Sequence, residues 1–152
     1  MNIEISDATS EDLEDILTLQ KIAYKSEAEI HDDYSILPLH QTMNEIINEF
    51  QSHLLLKVVD QKKIIGSVRA YEKNGTCFIG KLIVNPAYQN RGIGTKLLTE
   101  IEKRFKDIKR FELFTGYKSE KNLYIYNKIG YNEFSRKKIS DKLTLIFLEK
   151  IH

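Results

Sequence analysis

The sequence predicts an α/β (α+β) fold. A mixed central sheet is flanked by helices in the order β-α-α-β-β-β-α-β-α-β-β. Three observations carry this. An apolar stretch over residues 78–84 breaks at Pro86 and passes through a polar turn to Gly92 and Gly94. Ile93, Leu97, Leu98, Ile101 and Phe105 then recur at helical spacing. Upstream, Asn74-Gly75 separates two apolar segments and signals a hairpin. Between residues 42 and 50, Thr42-Met43-Asn44-Glu45 is a capping box ahead of Met43, Ile46, Ile47 and Phe50.

The elements follow in order. Residues 2–7 alternate apolar and polar side chains and predict a short strand. Thr9 or Ser10, with Glu11 and Asp12, opens a helix carrying Leu13, Ile16, Leu17, Leu19 and Ala23. Residues 26–40 have little periodicity and contain Pro38, so they are expected to be irregular. After the capping-box helix, residues 53–60 predict a strand. Gln61-Lys62 turns the chain into a strand over 63–72, and the hairpin leads into 77–85. The glycine-turn helix is followed by a strand over 110–117. Next comes a helix on which Leu123, Tyr126 and Ile129 share a stripe, with Gly130 as its C-cap. Strands over 131–139 and 143–150, turned at Ser140-Asp141, close the chain.

Composition fits one enzyme-sized domain over residues 1–152. Hydrophobic residues at 41% can fill one core. The net charge of +1 gives no argument for nucleic acid or an anionic membrane. Short basic runs, such as Lys103-Arg104 and Arg136-Lys137-Lys138, read as solvated faces. A single cysteine forms no intrachain disulfide, no apolar run is long enough to span a bilayer, and acidic residues come early in the chain. The expected setting is a reducing cytoplasm.

The strand–glycine–helix passage predicts an anion site. The first helical N–H groups lack intrahelical partners, the helix dipole is positive there, and Gly92 and Gly94 have no Cβ to hold an anion off. A P-loop string is absent, and the dinucleotide fingerprint is incomplete and falls mid-chain. Gln89-Asn90-Arg91-Gly92-Ile93-Gly94, after a strand ending Val84-Asn85-Pro86, resembles the acetyl-CoA motif [QR]-x-x-G-x-[GA] of the GNAT N-acetyltransferase superfamily. Downstream, Asn122 through Tyr126 to Lys128, Gly130 and Tyr131 resembles that family's late helix, N-x-x-x-Y-x-K-x-G-[FY]. On its residues alone, Tyr126 also fits a core aromatic. Many relatives carry the helix asparagine three residues earlier, where this chain has Ser119. The resemblance covers essentially the whole chain and implies the GNAT fold.

What it implies about the site can be stated residue by residue. Pyrophosphate would lie on the amides of Arg91, Gly92, Ile93, Gly94 and Thr95, with Gln89 and Asn90 beside them. The pantetheine arm would pair with the strand end at Leu82, Ile83 and Val84, and Asn122 would contact the cofactor. Tyr126 matches the tyrosine facing the sulfur. Its phenol would give the departing thiolate a hydrogen bond or proton. No metal is implied.

The base is left open. Where many relatives have a strand glutamate, this chain has Lys81. Glu72, Glu27, Glu29, His31, Asp33 and ordered water all remain candidates. Cys77 is a strand cysteine that reads as packing rather than as an acyl carrier. The acceptor site is expected between residues 26–40 and 136–142. Glu27, Glu29, His31, Asp32 and Asp33 would suit a cationic amine, whereas Arg69 and Lys81 would suit an acceptor with a carboxylate. The expected activity is transfer of acetyl from acetyl-CoA to a primary amine of a small molecule, by direct attack in a ternary complex. A protein or peptide amino group is the alternative acceptor. A non-catalytic acetyl-CoA sensor is the alternative class, and a homodimer is compatible with either.

Overall fold

The structure is a computed structural model and describes residues 2–152. Its strands are β1 (Ile3–Asp7), β2 (Leu54–Asp60), β3 (Lys63–Lys73), β4 (Thr76–Val84), β5 (Arg110–Gly116), β6 (Asn132–Lys138) and β7 (Thr144–Ile151). Its α-helices are α1 (Leu13–His31), α2 (Met43–Ser52), α3 (Ile93–Arg104) and α4 (Glu120–Ile129). Short 3-10 turns cover Ser10–Asp12, Leu37–His40 and Pro86–Tyr88. The element order is the one expected.

The strands form one mixed sheet in the order β1-β2-β3-β4-β5-β7-β6. Neighbours are antiparallel except β4 and β5, which run parallel. The β2–β3 and β3–β4 connections are two-residue turns. Gln61 and Lys62 take φ of 49° and 66°, Asn74 and Gly75 take 52° and 82°. Positive φ at both central residues matches the twist of a right-handed hairpin.

Two apolar clusters hold the layers. The larger lies between the sheet and the α3–α4 side, where Leu97, Leu98 and Ile101 meet Val68, Phe111, Tyr126 and Tyr131. The smaller sets Leu13, Ile16 and Leu17 of α1 and Ile46 of α2 against Leu55. Each follows from a helical stripe of apolar residues that must leave water. Tyr131 also places its hydroxyl 2.9 Å from Glu102, so its buried polar end is satisfied.

Two expectations are corrected. Residues 26–31 are not irregular: they complete α1, which ends at Asp32 in the left-handed region, φ 49°. Ala28 is fully buried there, and the Asp32 N–H closes the last turn on Ala28 and Glu29 carbonyls. Glu27, Glu29 and His31 are therefore helical residues with fixed facing. On α2 the buried stripe is narrower than expected. Ile46 is buried while Met43 and Ile47 are exposed, and Glu49 turns inward instead.

Candidate active site

The site begins with a defect in β4. Ser67 pairs with Ile83, but Arg69 pairs with Gly80, so Lys81 and Leu82 together oppose Val68. This is a bulge, and Lys81 sits in it at φ 48°. β4 and β5 pair only from Thr76–Arg110 to Phe78–Glu112. Beyond that point no described strand covers the β5 side of β4. The separation opens a continuous cleft of about 1700 Å³ lined by β4, β5, α1, α2, α4 and the α3 turn.

One end of the cleft is built from backbone. Asn85 Oδ1 accepts the Ala87 N–H at 2.9 Å and starts the turn. Asn90 and Gly92 then take φ of 63° and 78°, and Gly92 is the N-cap of α3. Lys96 donates the first intrahelical bond, to the Gly92 carbonyl at 3.1 Å. The amides of Ile93, Gly94 and Thr95 therefore have no acceptor within the helix. A Cβ on Gly92 would meet nothing within 4 Å, and one on Gly94 only Ile125 and Val84 at 3.9 and 4.0 Å. That open space, before free amides at a positive helix end, suits an anion.

Leu82, Ile83, Val84, Gln89, Asn90, Gly92, Ile93, Gly94, Thr95, Asn122 and Tyr126 all line this cleft. Arg91 does not. It follows the reversal at Asn90, lies over the Tyr88 ring at 5.4 Å, and lines a separate hollow of about 450 Å³ beside Asp60. The expectation for Arg91 concerns its backbone amide, which precedes Gly92 in the turn; the side chain lies over Tyr88.

Tyr126 is buried on α4, its ring 6.2 Å from that of Tyr131. Burial first, then the charges of Tyr24 and Glu27, raise its phenol above the ordinary value, so it keeps its proton at neutral pH. Asn122, one turn earlier, donates to Thr115 on β5 at 3.2 Å.

The other end of the cleft is built from side chains. Glu49 of α2 accepts Arg69 at 2.7 Å, Lys81 at 2.9 Å and Gln41 at 2.8 Å. Arg69 is buried and also reaches Gln41 at 3.0 Å and Gln20; its Nε has no partner among the described residues. Burial opposes ionisation of Glu49, but the hydrogen bonds and charges of Arg69 and Lys81 outweigh it and hold the carboxyl at about 2. The bulge at Lys81 directs that lysine to Glu49.

On α1, Tyr24, Glu27 and His31 also line the cleft. The Glu27 carboxylate accepts the Ser119 hydroxyl. Buried His31 bridges two backbones. Its Nδ1 lies 3.1 Å from the Glu27 carbonyl, and its Nε2 3.3 Å from the Lys118 N–H. The second bond assigns Nε2 as acceptor and Nδ1 as donor, a neutral imidazole. A Cβ on Gly116 would fall 2.3 Å from His31 Nε2, so glycine makes room for the ring.

Residues 12–131 match the acetyltransferase (GNAT) family. The chain belongs to that family. Solved structures agree in fold. PaiA N-acetyltransferase from Thermoplasma acidophilum, in complex with coenzyme A, is 23% identical with a TM-score of 0.74, and each chain is covered over 100%. The ribosomal-protein-S18-alanine N-acetyltransferase of Escherichia coli is 13% identical with a TM-score of 0.81, over 99% of this chain and 94% of that one. An N-acetyltransferase of Staphylococcus aureus Mu50 is 18% identical with a TM-score of 0.78, over 99% of each chain. A comparison with curated proteins finds no match. As a GNAT family member the protein is an acyltransferase, on a mixed seven-stranded sheet.

The remaining base candidates separate by position. Glu72 is exposed, pairs with Cys77 at the far end of the β3–β4 hairpin, and does not line the cleft. Glu29 and Asp32 are exposed and outside it. Asp33 lines the cleft, its Oδ1 occupied by the Ser35 N–H and hydroxyl. Cys77 is buried in the larger core, and burial, then the charges of Glu102 and Glu72, push its thiol up to about 12. Of the residues 136–142, Ile139 reaches the cleft.

Tyr24, Gln20, Gln41 and Glu49 were not among the residues expected at the site. Gln20 and Glu49 interrupt otherwise apolar inward stripes of α1 and α2, the one signal that points to them.

Proposed function

We propose that the protein transfers the acetyl group of acetyl-CoA to a primary amine of a small molecule, by direct attack in a ternary complex. The observation that carries this is the continuity of the cleft. It runs from the free amides of α3, along the uncovered edge of β4, past Tyr126, to the wall formed by α1 and α2. Pyrophosphate sits on the amides of Gly92 to Thr95. The pantetheine arm pairs along Leu82 to Val84 like an added strand. Tyr126, kept protonated by its buried setting, donates to the departing sulfur.

The amine enters from the α1–α2 side, where the cationic groups Arg69 and Lys81 are both engaged by Glu49. That leaves Glu27, Glu45 and Asp33 as the carboxylates on this wall, which favours a cationic acceptor over one bearing a carboxylate. Direct attack fits the inert thiol of Cys77. A reducing cytoplasmic setting belongs to the same proposal, as does a cycle that uses no metal.

The test is thiol release from acetyl-CoA with a panel of diamines, monoamines and amino acids, run beside an amine-bearing peptide. Turnover with small amines supports the reading, and intersecting lines in two-substrate kinetics support direct attack. Turnover with the peptide alone moves the acceptor to a protein. CoA binding without turnover on any amine makes the domain a sensor.

A further inference from the structure

We propose that Glu27 is the proton acceptor for the incoming amine and that Ser119 is its positioning residue. The inference rests on the acetyl-transfer reading above and names the group that reading leaves open. Tyr24, Glu27 and His31 stand at i, i+3 and i+7 on α1 and line the cleft. Ser119, Asn122 and Tyr126 stand at the same spacing at the start of and along α4. At i, i+3 and i+7 each set shares one helix face, and the Ser119 hydroxyl bond to Glu27 Oε2 ties the two together. The carboxylate is thereby anchored on the element that carries the sulfur-facing tyrosine. Its field reaches that phenol and Tyr24.

Glu27 is also a cleft carboxylate with an oxygen to spare, and Ser119 ties it to α4. Glu49 takes three donors on two oxygens. Both nitrogens of His31 are committed to backbone groups. Glu27 Oε1 accepts no hydrogen bond among the described residues, and the side chain keeps 24% of its surface exposed. The ionisable groups around it are His31 and Tyr24 on its own helix and Tyr126 on α4.

The proton balance closes. An ammonium N–H passes to Glu27, directly or through one water, and frees the nitrogen lone pair. The C–N bond forms at the thioester carbonyl and the C–S bond breaks. A second N–H proton reaches the sulfur as the Tyr126 hydroxyl gives one proton and takes another. Glu27 returns its proton to solvent through its exposed side.

Glu27→Gln keeps the shape and a partner for Ser119. With the best amine from the panel, kcat at neutral pH should fall by about 10²-fold or more, while CoA affinity is unchanged. The variant's activity should then climb about tenfold per pH unit towards the amine's own pKa, and the wild-type profile should be flatter. Glu27→Asp should retain more activity than Glu27→Gln, and Ser119→Ala should lower kcat less than either glutamate substitution lowers it. A Glu27→Gln enzyme that binds CoA and shows wild-type kcat and pH profile overturns the proposal. A Glu27→Gln protein that no longer binds CoA shifts the test to another variant. Glu27→Asp keeps a carboxylate, so the deciding variant is then Glu27→Ala. Full kcat with a wild-type pH profile in a Glu27→Ala protein that binds CoA overturns it equally. A wild-type protein that turns over no amine defeats the acetyl-transfer reading instead, before any variant is compared.

Discussion

The two ends of the cleft are made differently. The α3 end presents backbone: amides of Ile93, Gly94 and Thr95 behind a turn set by Asn85, Asn90 and Gly92. The α1–α2 end presents side chains drawn from four elements, Glu27 and Gln20 from α1, Glu49 from α2, Arg69 from β3 and Lys81 from β4. A backbone site is specified within a dozen consecutive residues. A side-chain site depends on contacts 20 to 92 residues apart in sequence, such as Arg69 with Glu49 and Ser119 with Glu27. The first tolerates little change in conformation, and the second can be altered one group at a time.

The strongest test of the division removes the group at the boundary. Tyr126→Phe keeps the ring packed against Tyr131 and deletes the hydroxyl. The expected result is a fall in kcat of about 10²–10⁴-fold, with CoA affinity nearly unchanged by calorimetry. An unchanged kcat, with chemistry shown to limit turnover, would make Tyr126 a packing residue and leave the boundary without a proton donor.

Breaking the side-chain end should appear in stability. Glu49→Gln leaves Arg69 buried and without its counter-charge. Removing one partner of a buried pair costs ~3 kcal/mol or more, and the lower figure applies because Glu49 keeps 24% of its side chain exposed. Chemical denaturation measures it. The wild type should also show the linkage. The Glu49 carboxyl is lowered from 4.5 to about 2, so its stabilisation is fully present above pH 4.5 and is lost as pH falls from there towards 2. Glu49→Gln should flatten that part of the stability–pH curve. If the two curves stay parallel, the network is not what anchors α2 to β3.

The asymmetry also explains what was legible in the sequence. The element order, the Asn74-Gly75 hairpin and the α3 end follow from local signals: glycine and asparagine at positive φ, a capping box, and apolar residues at a single period. The Gln61-Lys62 turn is marked only as a polar pair between two apolar runs. The α1–α2 end was legible only in part: the sequence names Glu27, His31, Arg69 and Lys81, but not Gln20, Tyr24, Gln41 and Glu49. Residues 26–31 lack a clean apolar stripe because, besides buried Ala28, the positions turned to the protein are Glu27 and His31, which line a cleft. The eye reads such polarity as loop. Glu49 was hidden for the same reason, on a helix whose Met43 and Ile47 imitate a wider buried stripe than Ile46 alone provides. The bulge at Lys81 gives no local signal, since a lysine at positive φ is fixed by the pairing around it and by its bond to Glu49.

A smaller effect sharpens the backbone end. Gly92, at φ 78°, is held in a region that β-branched residues avoid, so substitution there mixes strain with loss of the site. Gly94 separates the two. Its Cβ position has only ordinary contacts with Ile125 and Val84, so Gly94→Val should fold normally. Its methyl groups would stand before the amides and weaken CoA binding by about 10-fold, the loss of one charge-assisted hydrogen bond. The amine KM should move little. A variant with unchanged CoA affinity, or with the loss confined to the amine, would break the assignment of the two ends.

The smallest effect belongs to Cys77, a residue outside both ends. It pairs with Phe111 near the start of β4, seven residues before Val84, which is about 23 Å along an extended strand. It is fully buried and its thiol is pushed up to about 12, so almost none is thiolate at neutral pH. A covalent relay through this sulfur would need the acetyl group to leave the cleft and enter the packed core. Cys77→Ala should therefore keep wild-type kcat and KM for both substrates. It should lose only about 1 kcal/mol of stability from the vacated volume, read by denaturation. Initial-rate lines should still intersect. Parallel lines in the wild type, with an acetyl group trapped on Cys77 by mass spectrometry and activity lost in Cys77→Ala, would overturn direct attack. They would also require a path through the core that the packing of Cys77 against Phe111 does not contain.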